Sequence, residues 1–164
     1  MRTPARVAGH PIHPMVVVLP IGLWVFSFVC DLFFLATGST DWKTAARYAV
    51  GGGDVGAVLA ILPGMIDGLS LRKSSVFRLV LTHLAFNSLG FLLFVTSFIA
   101  RSIDAPYGWA LATSAIGLLA VLVGGWYGGE LVYREGIGVE ATPPHTRTPV
   151  LTGEPVQRDD RRSA

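Results

Sequence analysis

Charge is what this chain has least of. Only 15 % of its residues are Asp, Glu, Lys or Arg, while 51 % are hydrophobic. A water-soluble domain carries about 25 % charged residues, because it must clothe itself in solvated side chains. The deficit points to a surface covered by lipid. Cysteine is nearly absent too, and Cys30 is the only one. One thiol closes no disulfide within the chain, and inside an apolar run it reads as a buried group rather than a redox centre. Strand-type alternation is missing, which excludes a membrane β-barrel. The basic residues are few and scattered, with no interleaved aromatics, which excludes a nucleic-acid partner. No Ser-His-Asp set, Cys-His nucleophile pair or nucleotide fingerprint occurs, so an enzyme is the less supported class.

What the chain does have is long apolar runs, within a mean hydropathy of +0.54. Four of them reach the roughly 20 helical residues that a hydrocarbon core requires. They cover Met15 to Leu35, Ala45 to Gly68, Phe77 to Ala100 and Trp109 to Val132. Without water the backbone must satisfy its own hydrogen bonds, so such runs are helices. The connections at Thr37 to Asp41, Ser70 to Ser75 and Asp104 to Gly108 are short and rich in turn formers. Short loops hold neighbouring helices antiparallel, which predicts an all-α, integral membrane four-helix up-down bundle. The expected division is a cytoplasmic N-terminal segment over 1–14, a four-span domain over 15–139 and a disordered cytoplasmic tail over 140–164. The apolar core of the first span is too long for a cleaved signal, and Asp31 sits where small neutral residues would be needed. An uncleaved anchor is expected.

Orientation follows from the basic residues. Arg2 and Arg6, then Arg72, Lys73 and Arg78, then Arg134, Arg147, Arg158, Arg161 and Arg162 fall on one side; only Lys43, Arg47 and Arg101 fall on the other. Both termini are therefore expected in the cytoplasm.

Several polar residues sit where lipid would make them costly. His13 and His83 are candidate cofactor ligands. With His10, Asp67 and Glu130 they form a candidate metal set, since imidazole and carboxylate suit zinc, iron or copper. His83 lies roughly 9 Å into the third helix at 1.5 Å per residue, and Asn87 is one turn further on the same face. All are expected to face one cavity at the cytoplasmic end, with His10 at its mouth and Asn87 as its floor. Three readings stay open: hydrogen bonds that fix helix order, a metal or haem site, and a proton or ion path. Asp31 and Asp54 are expected in the outer half, paired with Arg47. Pro63 is expected to kink the second span and free a carbonyl near the polar layer. Gly52 with Gly56, Gly64 with Gly68, Gly124 with Gly128 and Gly125 with Gly129 have the small-xxx-small spacing of close helix contacts.

Two segments, Gly9-His10-Pro11-Ile12-His13-Pro14-Met15 running on to Leu23 and Gly128-Gly129-Glu130-Leu131-Val132-Tyr133-Arg134-Glu135-Gly136-Ile137-Gly138-Val139, resemble a bacterial membrane family, the domain of unknown function 2231. His83 with Asn87 fits as well. The resemblance covers roughly residues 9 to 139 and implies a four-span domain of the bacterial inner membrane, without an assigned reaction. Many relatives carry a further histidine where this chain has Val18, so a cofactor held by several histidines of the first segment is not implied. The expected function is a binding or accessory module whose polar inner-leaflet site holds a metal or haem for electron transfer. The alternatives are a small transporter or proton-conducting module and a structural subunit. The expected partners are the lipid bilayer and either further copies or a larger membrane complex.

Overall fold

The computed structural model describes residues 3–139, so the expected tail over 140–164 lies outside the described residues. Two short strands, β1 (Arg6–Val7) and β2 (His10–Pro11), precede five helices: α1 (Ile12–Val16), α2 (Val18–Thr37), α3 (Thr40–Ser70), α4 (Phe77–Ser102) and α5 (Tyr107–Gly129). A π-helical turn over Glu130–Arg134 prolongs α5. Together α1 and α2 make the first span, because Val17 bends the chain without breaking its bonding: Val17 N–H still donates to His13 O at 3.0 Å. Pro20 lacks the N–H that would close the next turn, so a bend there is expected. The spans Ile12–Thr37, Thr40–Ser70, Phe77–Ser102 and Tyr107–Arg134 are each long and apolar enough to cross a bilayer. The four-helix membrane architecture expected from hydropathy is therefore the observed one, with bounds extended by a few residues at the helix ends.

The bundle is built from two antiparallel hairpins. Helix α2 packs chiefly on α3 and α4 chiefly on α5, while α3 and α4 meet over a shorter stretch. Large apolar side chains such as Leu62, Leu92, Leu119 and Leu122 face outwards. Outward leucines are stable in lipid, and helix association then relies on small residues that let backbones approach. Gly53 receives the Trp24 ring and Gly56 receives Pro20. Trp24 stacks on Phe94 at 4.4 Å between ring centroids, nearly parallel, and Val50, Ala57 and Val121 complete this central cluster. One expectation needs correction. Gly125 faces outwards, and a Cβ there would meet nothing within 4 Å. Its neighbour Gly124 holds the contact instead, because successive helical residues point about 100° apart and only one of the two stripes can face the bundle.

The described N-terminal residues pack on the bundle. Ala8 and Gly9, both with positive φ, form the two-residue turn of a β1–β2 hairpin; this turn class matches strand twist and favours glycine. The hairpin caps the end of the bundle that carries both termini. Ala5 N–H donates to Asp67 Oδ1 at 2.7 Å, and the Arg6 guanidinium donates to Gly138 O at 2.9 Å.

Candidate functional site

The hairpin delivers His13 into the bundle from α1. Its Nδ1–H donates to the carbonyl of Ala60 at 2.8 Å, and its ring rests on Gly64, where a Cβ would lie only 2.7 Å from Nδ1. Both partners belong to the turn around Pro63. The N–H that Pro63 lacks would have met the carbonyl of Leu59, one residue before Ala60, and the proline ring crowds that turn. A carbonyl has two lone pairs, so Ala60 O can accept the imidazole beside a backbone donor. From the other hairpin, His83 on α4 makes the matching arrangement. Its Nδ1–H donates to Gly124 O at 2.8 Å and its ring rests on Gly128. Asn87 donates from Nδ2 to the His83 carbonyl at 2.8 Å and packs on Gly124.

The two imidazoles meet where the hairpins face each other. Their ring centroids are 6.2 Å apart and their planes are nearly perpendicular, at 85°. Each ring has its Nδ1–H committed to a backbone carbonyl. In a neutral imidazole this leaves Nε2 as the nitrogen that carries the lone pair. Metal-ligating histidines are held in the same way, with the other ring N–H bonded to a carbonyl or carboxylate that fixes tautomer and orientation.

The wider ligand set does not assemble. Among the described residues no three His, Cys, Asp or Glu side chains gather as a group able to hold a metal ion. His10 is exposed on β2 and donates to Ala8 O at 3.0 Å. Asp67 anchors the N-terminal strand through Ala5. Glu130 pairs with Arg134 at 3.0 Å along its own helical turn. Each of the two carboxylates is engaged by another partner, Asp67 by the Ala5 N–H and Glu130 by Arg134, and not by the histidines.

A second polar centre lies towards the opposite end of the bundle. Asp31 on α2 is fully buried and accepts both guanidinium nitrogens of Arg101, at 2.8 and 2.7 Å, and the hydroxyl of Tyr107 at 2.6 Å. Arg101 also donates from Nε to Ser97 Oγ at 3.2 Å and from Nη2 to Ser114 Oγ at 3.3 Å. The expected pairing with Arg47 is not formed. Arg47 is exposed, with its guanidinium over the ring of Tyr48 at 5.6 Å. Side chains on a helix lean towards its N-terminus, so Arg101, in the last turn of α4, folds back over Ser97 into the bundle. The i, i+4 spacing of Ser97 and Arg101 is the signal of this network in the sequence, while Tyr107 and Ser114 join it only through the packing of α5 on α4. Asp54 is separate from this network. It lies one residue short of the midpoint of α3 and accepts Trp24 Nε1–H at 3.1 Å.

Comparison with known proteins agrees with the architecture. No curated protein and no solved structure matches the chain. The family model described as a predicted membrane protein, DUF2231, matches residues 9–141, which takes in both histidines and every spanning helix. The chain belongs to this family of predicted membrane proteins.

Proposed function

We propose that this protein is a binding module of the bacterial inner membrane that holds a redox-active metal centre between His13 and His83. The observation that carries the reading is the pair of imidazoles at 6.2 Å, each clamped through Nδ1–H to a carbonyl of the opposite helix in its hairpin. Both rings would offer Nε2 to such a centre, because each Nδ1–H is already committed to a carbonyl. Structural zinc needs four protein ligands, and two imidazoles fall short of that. A centre that brings its own remaining ligands, such as haem iron, or a copper ion of low coordination number suits the donor set better. The metal would supply one-electron chemistry; the protein supplies orientation, a fixed tautomer and an apolar surround. Positive loops favour the orientation in which both termini and the histidine pair lie towards the cytoplasm. The Asp31–Arg101 network has its donors and acceptors matched, so it supports a role as a lock between helices rather than as a conducting path.

The test is a visible spectrum with metal analysis of the full chain purified in mild detergent. A Soret band that shifts on reduction, or stoichiometric copper or iron without one, is the expected result. His13→Ala and His83→Ala should each abolish it while far-UV circular dichroism stays helical. Protein that is colourless, metal-free and unable to take up either haemin or copper when supplied would refute the proposal.

A further inference from the structure

The cations of this protein fall into two groups. At the end of the bundle that carries the α2–α3 and α4–α5 loops, each one has a partner within the chain. Lys43 meets Asp104 at 3.9 Å, Arg47 lies over the Tyr48 ring, and Arg101 is locked to Asp31. At the opposite end Arg6 donates to Gly138 O and Arg134 pairs with Glu130. Arg72, Lys73 and Arg78, at that same end, differ. All three are exposed, and among the described residues none has an ion-pair, hydrogen-bond or ring partner for its head group. The loop over 71–76 presents them as a set. Leu71 and Val76, at its two ends, are buried, and Leu71 packs with Val80 and Leu131. Leu71 N–H donates to Gly68 O at 3.1 Å, Ser74 N–H to Leu71 O at 2.9 Å and Phe77 N–H to Ser74 O at 3.2 Å. A backbone pinned in this way holds the cations outwards, which lowers the ordering cost of binding.

Depth identifies the anion. Arg72 and Lys73 follow Ser70, the last residue of α3, by two and three positions, and Arg78 is the second residue of α4. Both helices are long and apolar enough to span a bilayer. The three head groups therefore stand in the layer of lipid phosphates, which extends roughly 5–7 Å beyond the hydrocarbon on each side. Along α4 the exposed Leu81, Leu89 and Leu92 continue on the face of Arg78, and along α3 Leu62 and Leu69 share one exposed face that runs up to the loop; helical spacing puts each set on one side. Acyl chains thus find apolar surface directly beneath the cations. A zwitterionic lipid carries its own ammonium, which offsets its phosphate, whereas unpaired cations favour a headgroup of net negative charge.

We propose that the α3–α4 loop is a binding site for an anionic phospholipid, whose headgroup is held by Arg72, Lys73 and Arg78. The site uses neither histidine and does not depend on a metal there. Native mass spectrometry of the full chain in mild detergent, with phosphatidylglycerol and phosphatidylcholine supplied in equal amounts, tests it. Phosphatidylglycerol should be retained with about a tenfold preference, the scale of one to two cations at a charged lipid surface. The triple variant Arg72→Gln, Lys73→Gln and Arg78→Gln should lose that preference while its far-UV circular dichroism stays helical. Arg47→Gln, at the other end of the bundle, should keep it. Equal retention of the two lipids by the unaltered chain, or an undiminished preference in the triple variant, would overturn the proposal. So would displacement of the lipid by an equal concentration of inorganic phosphate or of polyglutamate, since a soluble anion or an acidic protein would then be the occupant.

Discussion

Replacing Arg101 with methionine offers the sharpest test of what holds the two hairpins together. Arg101 joins α4 to α2 through Asp31, and to α5 through Ser114. Its side chain is 1 % exposed and that of Asp31 0 %, so water cannot replace the lost donors. The variant leaves Asp31 with only the Tyr107 hydroxyl. Breaking a buried ion pair by removing one partner costs about 3–5 kcal/mol, a large share of the stability of a domain with about 5–15 kcal/mol in total. Removing both charges is a different matter. The double variant Asp31→Leu with Arg101→Met leaves no buried charge and should recover most of the loss, because well-packed apolar replacements of buried pairs are often near neutral. The interaction energy from the double-mutant cycle should therefore exceed about 2 kcal/mol. Unfolding in mixed micelles with increasing sodium dodecyl sulfate, followed by circular dichroism, measures all four species. A single-variant cost below about 1 kcal/mol, or strict additivity of the two substitutions, would refute the role assigned to the pair. The exposed pair of Lys43 with Asp104 at 3.9 Å is the built-in control, and Asp104→Asn should leave the transition unmoved.

Other consequences follow from individual contacts. Gly64→Val places branched carbon where His13 Nδ1 sits, so it should abolish metal uptake as His13→Ala does; retained uptake would mean that the ring is not held against α3. Gly125→Leu should leave the melting temperature and oligomeric state unchanged, because nothing lies within 4 Å of its Cβ position, whereas Gly90→Leu, aimed at Val121 and the Gly117 carbonyl, should prevent assembly of α4 on α5. Trp24→Phe keeps the stacking on Phe94 but removes the donor to Asp54, for an expected loss of about 1 kcal/mol in the same micelle titration. A cytoplasm-dependent reporter should be active when fused after Val139 and silent when inserted beside Gly38, and equal activity at both positions would contradict the three spans that separate them.

The spans, their number and their alternation were legible in the residues alone, because each depends on a local property. A run of some 20 apolar residues becomes a helix in lipid whatever its neighbours do, and a short loop returns the chain whatever it packs against. The layer that holds His13 and His83 was legible for the same reason, since depth is counted along a single helix. Pairing was not. Asp31 had two basic residues within reach by depth, and choosing Arg101 over Arg47 required the rotation of α2 against α4. These helices are apolar nearly all round, so no strong polar stripe announces which face turns inwards. The same rotation decided that Gly124, and not Gly125, receives a neighbour. It also set Asp67 on the N-terminal strand instead of beside the histidines. Depth is written in the sequence of one helix, but azimuth is settled only when several helices compete for the same interior, and for this protein that competition was decided in the tertiary structure.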